Sequence, residues 1–375
     1  MRATASISTH PVAASATGEA VGQLLEAQVE HLNLVCCFVT SAHAGALEDI
    51  IAALHALLSP DVVLGAASSG VIGPGAVIDD GPGLVLWGAA VGPVTPLRLT
   101  PGAPDAIPDG SRGVVVLADP ASAPAARVWL GQLPAGALSG ALVSPARAAG
   151  GSVLALNGVI QRHGAVGVAL GHGVGVQGVV CPGTRPVGPP MTVTRAEGPM
   201  IYELDGMAAR ARLDRMARDE LPATDIAFIN RGLALAVATE TAEAVYPVAG
   251  ADPTNGALGL GGDEADPRIA VELGSRVRFH VRDPAEEAAE VARALHVHPV
   301  DGALIFPSRH CIAARRGGAP LLDLPIGGCR AVAALGAAPG GTDGVRVPGV
   351  HRASAAVACF YDISSPSDGQ QSTPA

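Results

Sequence analysis

Two short stretches place a serine and a histidine two residues apart, each directly after a buried apolar run. The first is Ser41 with His43, and the second is Ser308 with His310, with Arg309 between them. Hydroxyl and imidazole groups can bond a polar ligand, and a guanidinium can hold a carboxylate through two parallel bonds. The same pairing would serve a serine nucleophile if the imidazole bonded the hydroxyl and a carboxylate oriented the imidazole.

A glycine- and serine-rich segment, Gly65–Gly75, offers a second set of polar groups directly after another apolar run. Backbone N–H groups in such a turn, with the hydroxyls of Ser68 and Ser69, can hold a carboxylate or a carbonyl oxygen. The alternative is a tight turn that only packs against a neighbouring strand. We predict ligand contacts from Ser68, Ser69 and Gly70.

The sequence gives little support for an enzyme. It has no GxSxG motif, and no acidic residue is obviously placed to orient either histidine. A hydrolase or acyl-transfer enzyme that uses Ser41 or Ser308 with a nearby histidine is therefore the alternative, and catalysis is not expected. The serines can also cap the helices that follow them, and capping is the favoured role for Ser41.

Nothing in the chain indicates a cofactor or a metal ion. Gly173–Gly178 matches the pattern GxGxxG, but the residues after it do not begin a helix, whose N-terminus a dinucleotide phosphate needs. We predict a glycine-rich turn there. His296 and His298 are expected on one face of a strand, and zinc would need a third ligand. We therefore expect neither a cofactor nor a metal.

Arg185 lies in a stretch dense in proline and glycine, Cys181–Pro190, which we take as the boundary between two halves. Its guanidinium can reach a ligand in a cleft between the halves. It can also pin the halves together through a carboxylate or a carbonyl oxygen, and this second role is the favoured one. We include Arg185 among the candidate ligand-binding residues.

The composition of the 375 residues favours a well-packed protein of two parts. Hydrophobic residues make up 49% and charged residues 15%, which allows a large core. The net charge of −10 and the dispersed arginines leave no basic face for nucleic acid. No apolar run reaches the roughly 18 residues that a membrane span needs. The cysteines form no CxxC pair and are typical of free thiols in a reducing cytoplasm, where we place the protein.

Hydrophobic periodicity predicts an α/β protein of two fused, related halves, with mixed β-sheets and helices packed outside them. A strand at Leu32–Val39, a helix at Ala46–Leu58 and a strand at Val62–Leu64 form an opening β-α-β unit with a parallel strand pair. The clearest helix is Asp283–Leu295, which begins with an aspartate cap.

Further elements are predicted along the chain. The strands are Leu84–Ala90, Gly113–Leu117, Ala141–Val143, Val153–Leu156, Val166–Leu170, Met191–Arg195, Met200–Leu204, Ile226–Asn230, Arg276–Val281, Ala303–Phe306, Leu322–Ile326, Ala331–Leu335 and Ser354–Phe360. The helices are Glu19–His31, Ala121–Leu130 with Asp119 as its cap, and Met207–Arg218, whose Arg212, Arg215 and Arg218 would line a solvated stripe. Residues 1–31 comprise a loose leader and the first helix, residues 32–183 and 184–361 are the two domains, and residues 362–375 form a disordered tail.

Two segments indicate that the halves are related. Phe38–His43 and Ile305–His310 each end a buried strand, and each is followed by a glycine-bearing strand and turn, at Leu64–Gly73 and Ile326–Gly336. Ligands of α/β proteins bind outside the carboxyl ends of the strands. Two such ends in two related halves would face one cleft.

The order of several segments, from about residue 32 to residue 361, resembles the FIST family. The segments are Val63–Gly73, similar to the family's GCSTAGEI-type turn, Arg185–Pro189, similar to its RPIGP junction, Ile201–Gly206 after it, and Val271–Asp283 with the form G-x-x-V-x-F-x-x-R-D. The resemblance implies an N-terminal FIST region over residues 32–183 and a C-terminal one over residues 184–361. It also implies a sensory module for small ligands such as amino acids, and it supplies no catalytic residues.

The chain departs from the family pattern in two places. Val71 stands where many members have glutamate, and Ala334 stands at the matching position of the second half. Ser308–His310 replaces a Cys-Gly-Arg-like turn that is frequent in the family. The ligand of members that match better need not be the ligand of this chain.

We therefore expect a sensory protein that binds a small polar metabolite, such as an amino acid, without catalysis. A signal would pass to a separate signalling partner or through a homo-oligomer. Besides the hydrolase, a ligand-free scaffold is an alternative, and it would show a closed junction and an exposed apolar patch. The candidate ligand-binding residues are Ser41, His43, Ser68, Ser69, Gly70, Arg185, Ser308, Arg309 and His310.

Overall fold

A computed structural model describes residues 1–29, 31–100, 103–122, 138–145, 151–230, 232–238, 243–261, 271–296, 300–307, 326–329, 333–338, 347–351 and 355–362. Mixed β-sheets with helices confirm the predicted α/β class. The strands are β1 Arg2–Ser8, β2 Leu34–Thr40, β3 Val62–Ser68, β4 Val71–Gly73, β5 Ala76–Ile78, β6 Leu84–Ala90, β7 Val94–Thr100, β8 Ala103–Pro104, β9 Gly113–Ala118, β10 Leu138–Leu142, β11 Val153–Leu156, β12 Val159–Gln161, β13 Ala165–Leu170, β14 Val174–Cys181, β15 Thr184–Glu197, β16 Met200–Leu204, β17 Met207–Ala208, β18 Leu233–Ala238, β19 Glu243–Ala251, β20 Leu258–Leu260, β21 Arg276–Arg282, β22 Gly302–Pro307, β23 Ile326–Cys329, β24 Ala333–Ala338, β25 Val347–His351 and β26 Ala355–Asp362. The helices are α1 Ala13–Glu26, α2 Leu47–Leu58, α3 Ala209–Asp219, α4 Ala223–Ile229 and α5 Pro284–His296, with 3-10 turns at Ser41–Ala46 and Pro120–Ser122.

Two six-stranded sheets share one connectivity. The first has the strand order β1-β6-β2-β3-β11-β12, and the second has the order β14-β26-β22-β23-β4-β5. In both sheets the third and fourth strands are parallel, and every other neighbouring pair is antiparallel. The equivalent strands β2 and β22 carry the repeated sequence, so the internal repeat corresponds to a repeated strand arrangement.

The two sheets lie face to face, and helices cover their outer faces. Alternate residues of β2 point to opposite sides, so Phe38 enters the core shared by the sheets while Cys37 enters the core beneath α1 and α2. Strand β22 repeats this pattern, with Phe306 in the shared core and Ile305 in the core beneath α5. The rings of Phe38 and Phe306 meet edge to face, with centroids 5.9 Å apart. Burial on both faces explains why these strands read as continuous apolar runs.

A third sheet, with the strand order β25-β24-β10-β9-β13-β7-β8, joins the two halves. Strand β10 pairs in parallel with β9 and antiparallel with β24, which comes from the second half of the chain. The close approach of β10 to β9 requires glycine, because a Cβ on Gly140 would lie 1.9 Å from the carbonyl oxygen of Val116. Strands β9, β10 and β13 also contribute residues to the shared core.

The fourth sheet closes on itself as a barrel between residues 184 and 282. Its strand order is β15-β21-β18-β19-β20-β16-β17, and an additional pairing of β15 with β16 closes the ring. The two ends of the barrel meet in the pair Thr184 with Arg282, and the N–H of Asp283 donates to the carbonyl oxygen of Gly183 at 3.1 Å. The barrel is therefore inserted between β14 and α5. In the first half the equivalent elements are β1 and α1, and only a short segment connects them.

The N-terminal residues form regular structure in place of the predicted loose leader. Arg2–Ser8 is β1, which pairs with β6 at the edge of the first sheet. Helix α1 spans Ala13–Glu26 instead of the predicted Glu19–His31. Small polar residues such as Ser6 and Thr17 are buried here. Such residues give no hydrophobic periodicity, so the sequence pattern missed β1 and placed the first helix too late in the chain.

Two local predictions based on short patterns are wrong. The predicted strand Ile226–Asn230 lies almost wholly in α4, because a short apolar run does not distinguish a strand from a helix. The predicted turn at Gly173–Gly178 falls largely within β14. Glycine is needed there for close packing, since a Cβ on Gly178 would lie 2.1 Å from the carbonyl oxygen of Leu138.

The structure places two side chains, those of His296 and Arg212, in other surroundings than the sequence predicts. His296 is the last residue of α5 and does not lie on a strand, while His298 lies outside the described residues. Arg212 is buried and bonds Glu220 at 2.9 Å, so it does not belong to a solvated stripe. A charged residue at helical spacing can pair inward when a carboxylate follows the helix, and spacing alone does not show this.

Several predicted segments lie largely outside the described residues. They include most of the helix Ala121–Leu130, most of the strand Leu322–Ile326 and nearly all of the tail over residues 362–375. The predicted cap of α5 is confirmed, because Asp283 Oδ1 accepts the N–H of Ala285 at 2.9 Å. None of the described helices has the length and apolarity needed to cross a membrane.

Burial makes two cysteines poor nucleophiles. Desolvation raises the pKa of the Cys37 and Cys359 thiols to about 12, because burial disfavours the charged thiolate. We expect neither thiol to react with iodoacetamide in the folded protein at pH 8, and both to react fully in urea. Peptide mass spectrometry measures the two extents. Labelling of Cys37 or Cys359 at equal rates in the folded and unfolded protein would contradict this packing.

Candidate ligand-binding site at the strand ends

The carboxyl ends of two parallel strand pairs meet where the chain crosses from β3 to β4. Strand β3 ends at Ser68, and Val71 begins β4, which pairs with Cys329 at the end of β23. Three residues span at most about 10 Å, so the ends of β3 and β23 lie close together. The hairpin β4-β5 thus follows β3 in sequence but completes the second sheet in space.

Local hydrogen bonds shape the turn at this crossing. Ser68 is fully buried, and its hydroxyl donates to the carbonyl oxygen of Gly70 and accepts the N–H of Gly70 at 3.3 Å. Ser69 is exposed between them. Ser68 therefore holds the shape of the turn, and Ser69 presents its hydroxyl outward.

The neighbouring strand β2 ends at the same level. Thr40 is the register partner of Ser68, and its hydroxyl donates to Gly81 O at 2.8 Å and accepts the N–H of Gly83 at 3.0 Å. Ser41 follows, and it is exposed at the start of a 3-10 turn that has no side-chain cap. The structure thus places Ser41 and Ser69 just beyond two paired strand ends.

His43 faces inward at this turn. It is buried, and its Nε2 lies 3.1 Å from the carbonyl oxygen of His10. Among the residues that the structure describes, no serine hydroxyl bonds a histidine ring. The serine nucleophile of the alternative enzyme is therefore not assembled at Ser41, and His43 ties the turn to the N-terminal segment.

The second candidate cluster lies outside the described part of the chain. Ser308, Arg309 and His310 directly follow Pro307, the last residue of β22, which pairs in parallel with β23. Their contribution to the site stays a prediction.

Arg185 lies at the start of the barrel and binds two carboxylates. Its Nε donates to Asp283 at 2.7 Å, one of its terminal nitrogens donates to Asp225 at 2.6 Å, and the guanidinium lies 5.2 Å from the ring centroid of Phe228. The hydrogen bond with Asp225, followed by that with Asp283, raises the pKa of Arg185. These contacts join β15 to α4 and to the start of α5. All three residues lie between residues 184 and 361, so these ion pairs do not pin the two predicted halves to each other.

Sequence reasoning missed a polar cluster at the end of the third parallel pair. Asp119 follows β9 and is 1% exposed. Its Oδ1 accepts the hydroxyl of Ser152 at 2.7 Å, and its Oδ2 accepts the hydroxyl of Ser122 at 3.1 Å. We predict Asp119 from sequence only as a helix cap, but its side chain bonds a serine 33 residues away. No local pattern reveals such a contact.

This cluster adjoins the crossing from β3 to β4. Strand β11 runs antiparallel to β3, and the end pair of their ladder is Val153 with Ala67. Ser152 and Ser68 come next on the two strands, so the Asp119 cluster and the Ser68 turn share one end of the sheet. The ends of β2, β3 and β9 therefore bring polar groups to one edge.

A family comparison covers this whole region. Residues 33–207 match the model of the FIST N domain. Over these residues the chain is similar to a FIST N domain. FIST domains are generally sensory domains that bind small ligands. The match confirms the FIST resemblance for the N-terminal region, and it includes β2, β3 and Asp119. It ends at residue 207, so the expected C-terminal FIST region over residues 184–361 stays a prediction.

Mycobacterial proteins are similar to this chain over most of its length. An uncharacterized protein of Mycobacterium tuberculosis is 28% identical over 338 residues, which cover 82% of this chain and 85% of the relative. An uncharacterized protein of Mycobacterium bovis is 27% identical over 311 residues, which cover 76% and 77% of the two chains. The similarity is longer than the FIST N match, so it continues into the chain after residue 207.

Proposed function

We propose that this protein binds a small polar metabolite, such as an amino acid, in a sensory role without catalysis. The ligand contacts the exposed hydroxyls of Ser41 and Ser69 at the edge where the parallel strands end. The observation that carries the proposal is the meeting of two parallel pairs at the crossing from β3 to β4. Ligands of α/β sheets bind outside the carboxyl ends of strands, and the FIST N match supports the same class of function.

The crossing also gives the ligand a way to act on both halves. A ligand that orders the Ser68–Gly70 turn restrains the hairpin β4-β5, and β4 pairs with β23 in the second sheet. A ligand shifts an equilibrium only when it binds one state better than another. The turn can connect ligand binding to both sheets, because Ser68 ends β3 of the first sheet and Val71 begins β4 of the second sheet. The signal then passes to a separate partner or to a second copy of the chain.

A thermal-shift screen of the full chain tests ligand binding. The panel contains the twenty common amino acids, small carboxylates without an amino group, and nucleotides. A ligand at about 100 times its dissociation constant stabilises the folded state by about 2.7 kcal/mol, which raises the melting temperature measurably. We expect a shift from one class of small polar compound. A flat response to the whole panel would contradict the proposal.

Paired serine variants locate the site. Ser41→Ala with Ser69→Ala removes two exposed hydroxyls, which costs little stability because surface substitutions usually change it by less than about 0.5 kcal/mol. We expect this double variant to lose most of the ligand-induced shift. Ser15→Ala is the matched control, since Ser15 is an exposed serine on α1. An undiminished shift in the double variant would place the ligand elsewhere.

A further inference from the structure

Among the described residues, Asp119 belongs to a buried group of oxygens that has fewer hydroxyl donors than acceptors. Ser152 Oγ lies 2.7 Å from Asp119 Oδ1 and 3.0 Å from the carbonyl oxygen of Val143. A hydroxyl has one proton, so it donates to only one of these two oxygens at a time. The Ser122 hydroxyl accepts the N–H of Gly164 at 2.8 Å and donates to Asp119 Oδ2. One buried oxygen beside Ser152 is left without that donor, which is unfavourable.

In the part of the chain that the structure describes, no arginine lies within ion-pair distance of the Asp119 carboxylate. Burying a carboxylate is costly unless a positive group faces it. Among the described residues, the basic group nearest to Asp119 is the ring of His163, whose Nδ1 lies 3.9 Å from Oδ2. That distance is beyond a hydrogen bond, and the His163 side chain is 71% exposed. The cluster therefore suits a small group that is positively charged and carries several N–H donors.

The position of the cluster connects it to the proposed binding site. Asp119 follows the last parallel pair of β9 and β10, Ala118 with Leu142. Ser152, which bonds Asp119, and Ser68 adjoin Val153 and Ala67, the end pair of the β3-β11 ladder. A ligand that reaches both Ser69 and Asp119 therefore stays at one end of the sheet.

We propose that Asp119 anchors a primary ammonium group of the ligand. This inference rests on the proposed function and narrows its ligand class to small amines, of which amino acids are the first to test. An ammonium group has three N–H donors and a positive charge. Its N–H groups would bond the oxygens around Ser152, and its charge would balance the charge of the Asp119 carboxylate. The exposed hydroxyls of Ser41 and Ser69 bind the remaining polar groups of the ligand.

The test uses matched pairs of ligands on the full chain. Calorimetric titrations compare amino acids with the corresponding 2-hydroxy acids, such as glycine with glycolate and alanine with lactate. These pairs differ in the ammonium group and share the carboxylate. We expect the amine of a pair to bind at least about 10-fold more tightly, because hydrogen bonds to charged groups contribute strongly to binding.

Asp119→Asn removes the charge and keeps the shape of the side chain. We expect it to weaken amine binding about 10- to 100-fold. Asp61→Asn is the matched control, because Asp61 also accepts from a neutral side chain, Asn33, and lies 3.5 Å from an imidazole, that of His31. It precedes β3 at the opposite end of the strand, so its substitution leaves amine binding unchanged.

The outcomes separate this inference from the proposed function. Equal binding of amine and hydroxy acid by the wild-type protein overturns the ammonium anchor and leaves small-ligand binding intact. Wild-type affinity in a folded Asp119→Asn protein overturns it as well. If the Asp119→Asn protein does not fold, the comparison of amino acids with 2-hydroxy acids on the wild-type protein decides whether the ammonium anchor exists. Absence of binding by every compound of both sets contradicts the proposed function and the anchor together.

Discussion

Phe38→Ala is expected to lower the free energy of unfolding by about 3–5 kcal/mol, as large-to-small changes of buried aromatic residues do. Phe38 is fully buried, and its ring meets that of Phe306 at 5.9 Å in the core shared by the two equivalent sheets. The alanine variant would leave a cavity between strands of both halves. Urea unfolding followed by circular dichroism measures the loss.

Two comparisons make this prediction specific. Leu57→Ala is the control, because Leu57 is 57% exposed on α2 and its truncation leaves no cavity. The double variant with Phe306→Ala is expected to cost less than the sum of the single changes, since the two rings contact each other. If the Phe38 variant lost no more stability than the Leu57 variant, the face-to-face packing of the sheets would be wrong.

Arg185→Met is expected to cost about 2–3 kcal/mol at pH 7, because it leaves two partly buried carboxylates without their shared cation. Asp225 and Asp283 have side chains that are 17% and 16% exposed, and both bond the guanidinium. Methionine keeps much of the apolar stem, so the loss reports mainly on the charge. Arg195→Met is the matched control, because Arg195 also contacts a carboxylate and an aromatic ring but is 57% exposed.

The effect of Arg185→Met depends on pH in a defined direction. Partial burial alone would raise the pKa of Asp283, but the hydrogen bond and charge of Arg185, with backbone N–H groups, outweigh it and hold that pKa below its usual value. A carboxylate with a depressed native pKa stabilises the fold above its unfolded pKa of about 3.9 and loses that contribution as pH falls through the native pKa. The stability difference between wild type and variant should therefore be full at pH 7 and shrink below about pH 4. A difference that grew on acidification would contradict the pairing.

The sequence predicts best those elements whose residues are buried on both faces or carry a strong local signal. Strand β2 is a continuous apolar run because Phe38 and Cys37 enter different cores. Helix α5 is recognisable because Asp283 caps its first turn. The repeat at Phe38–His43 and Ile305–His310 pointed to related halves because strands at equivalent places in two similar sheets need similar residues.

Long-range arrangement is what local patterns do not show. The hairpin β4-β5 follows β3 in sequence, yet its partner β23 comes more than 250 residues later. The barrel is closed by β15 and β16 together with strands whose order along the chain gives no hint of a ring. The contact of Asp119 with Ser152 joins residues from separate strands of the fold. In each case the pairing depends on tertiary packing, which periodicity and capping rules do not contain.

The central claim is that a small ligand binds where β2 and β3 end and thereby restrains both halves. Amide hydrogen exchange of the full chain tests it most directly, with and without a saturating amount of the panel compound that gives the largest melting shift. We predict slower exchange in peptides that cover residues 36–43 and 65–78, on both sides of the crossing from β3 to β4. Protection confined to the barrel over residues 184–282, with unchanged exchange at residues 65–78, would contradict the claim.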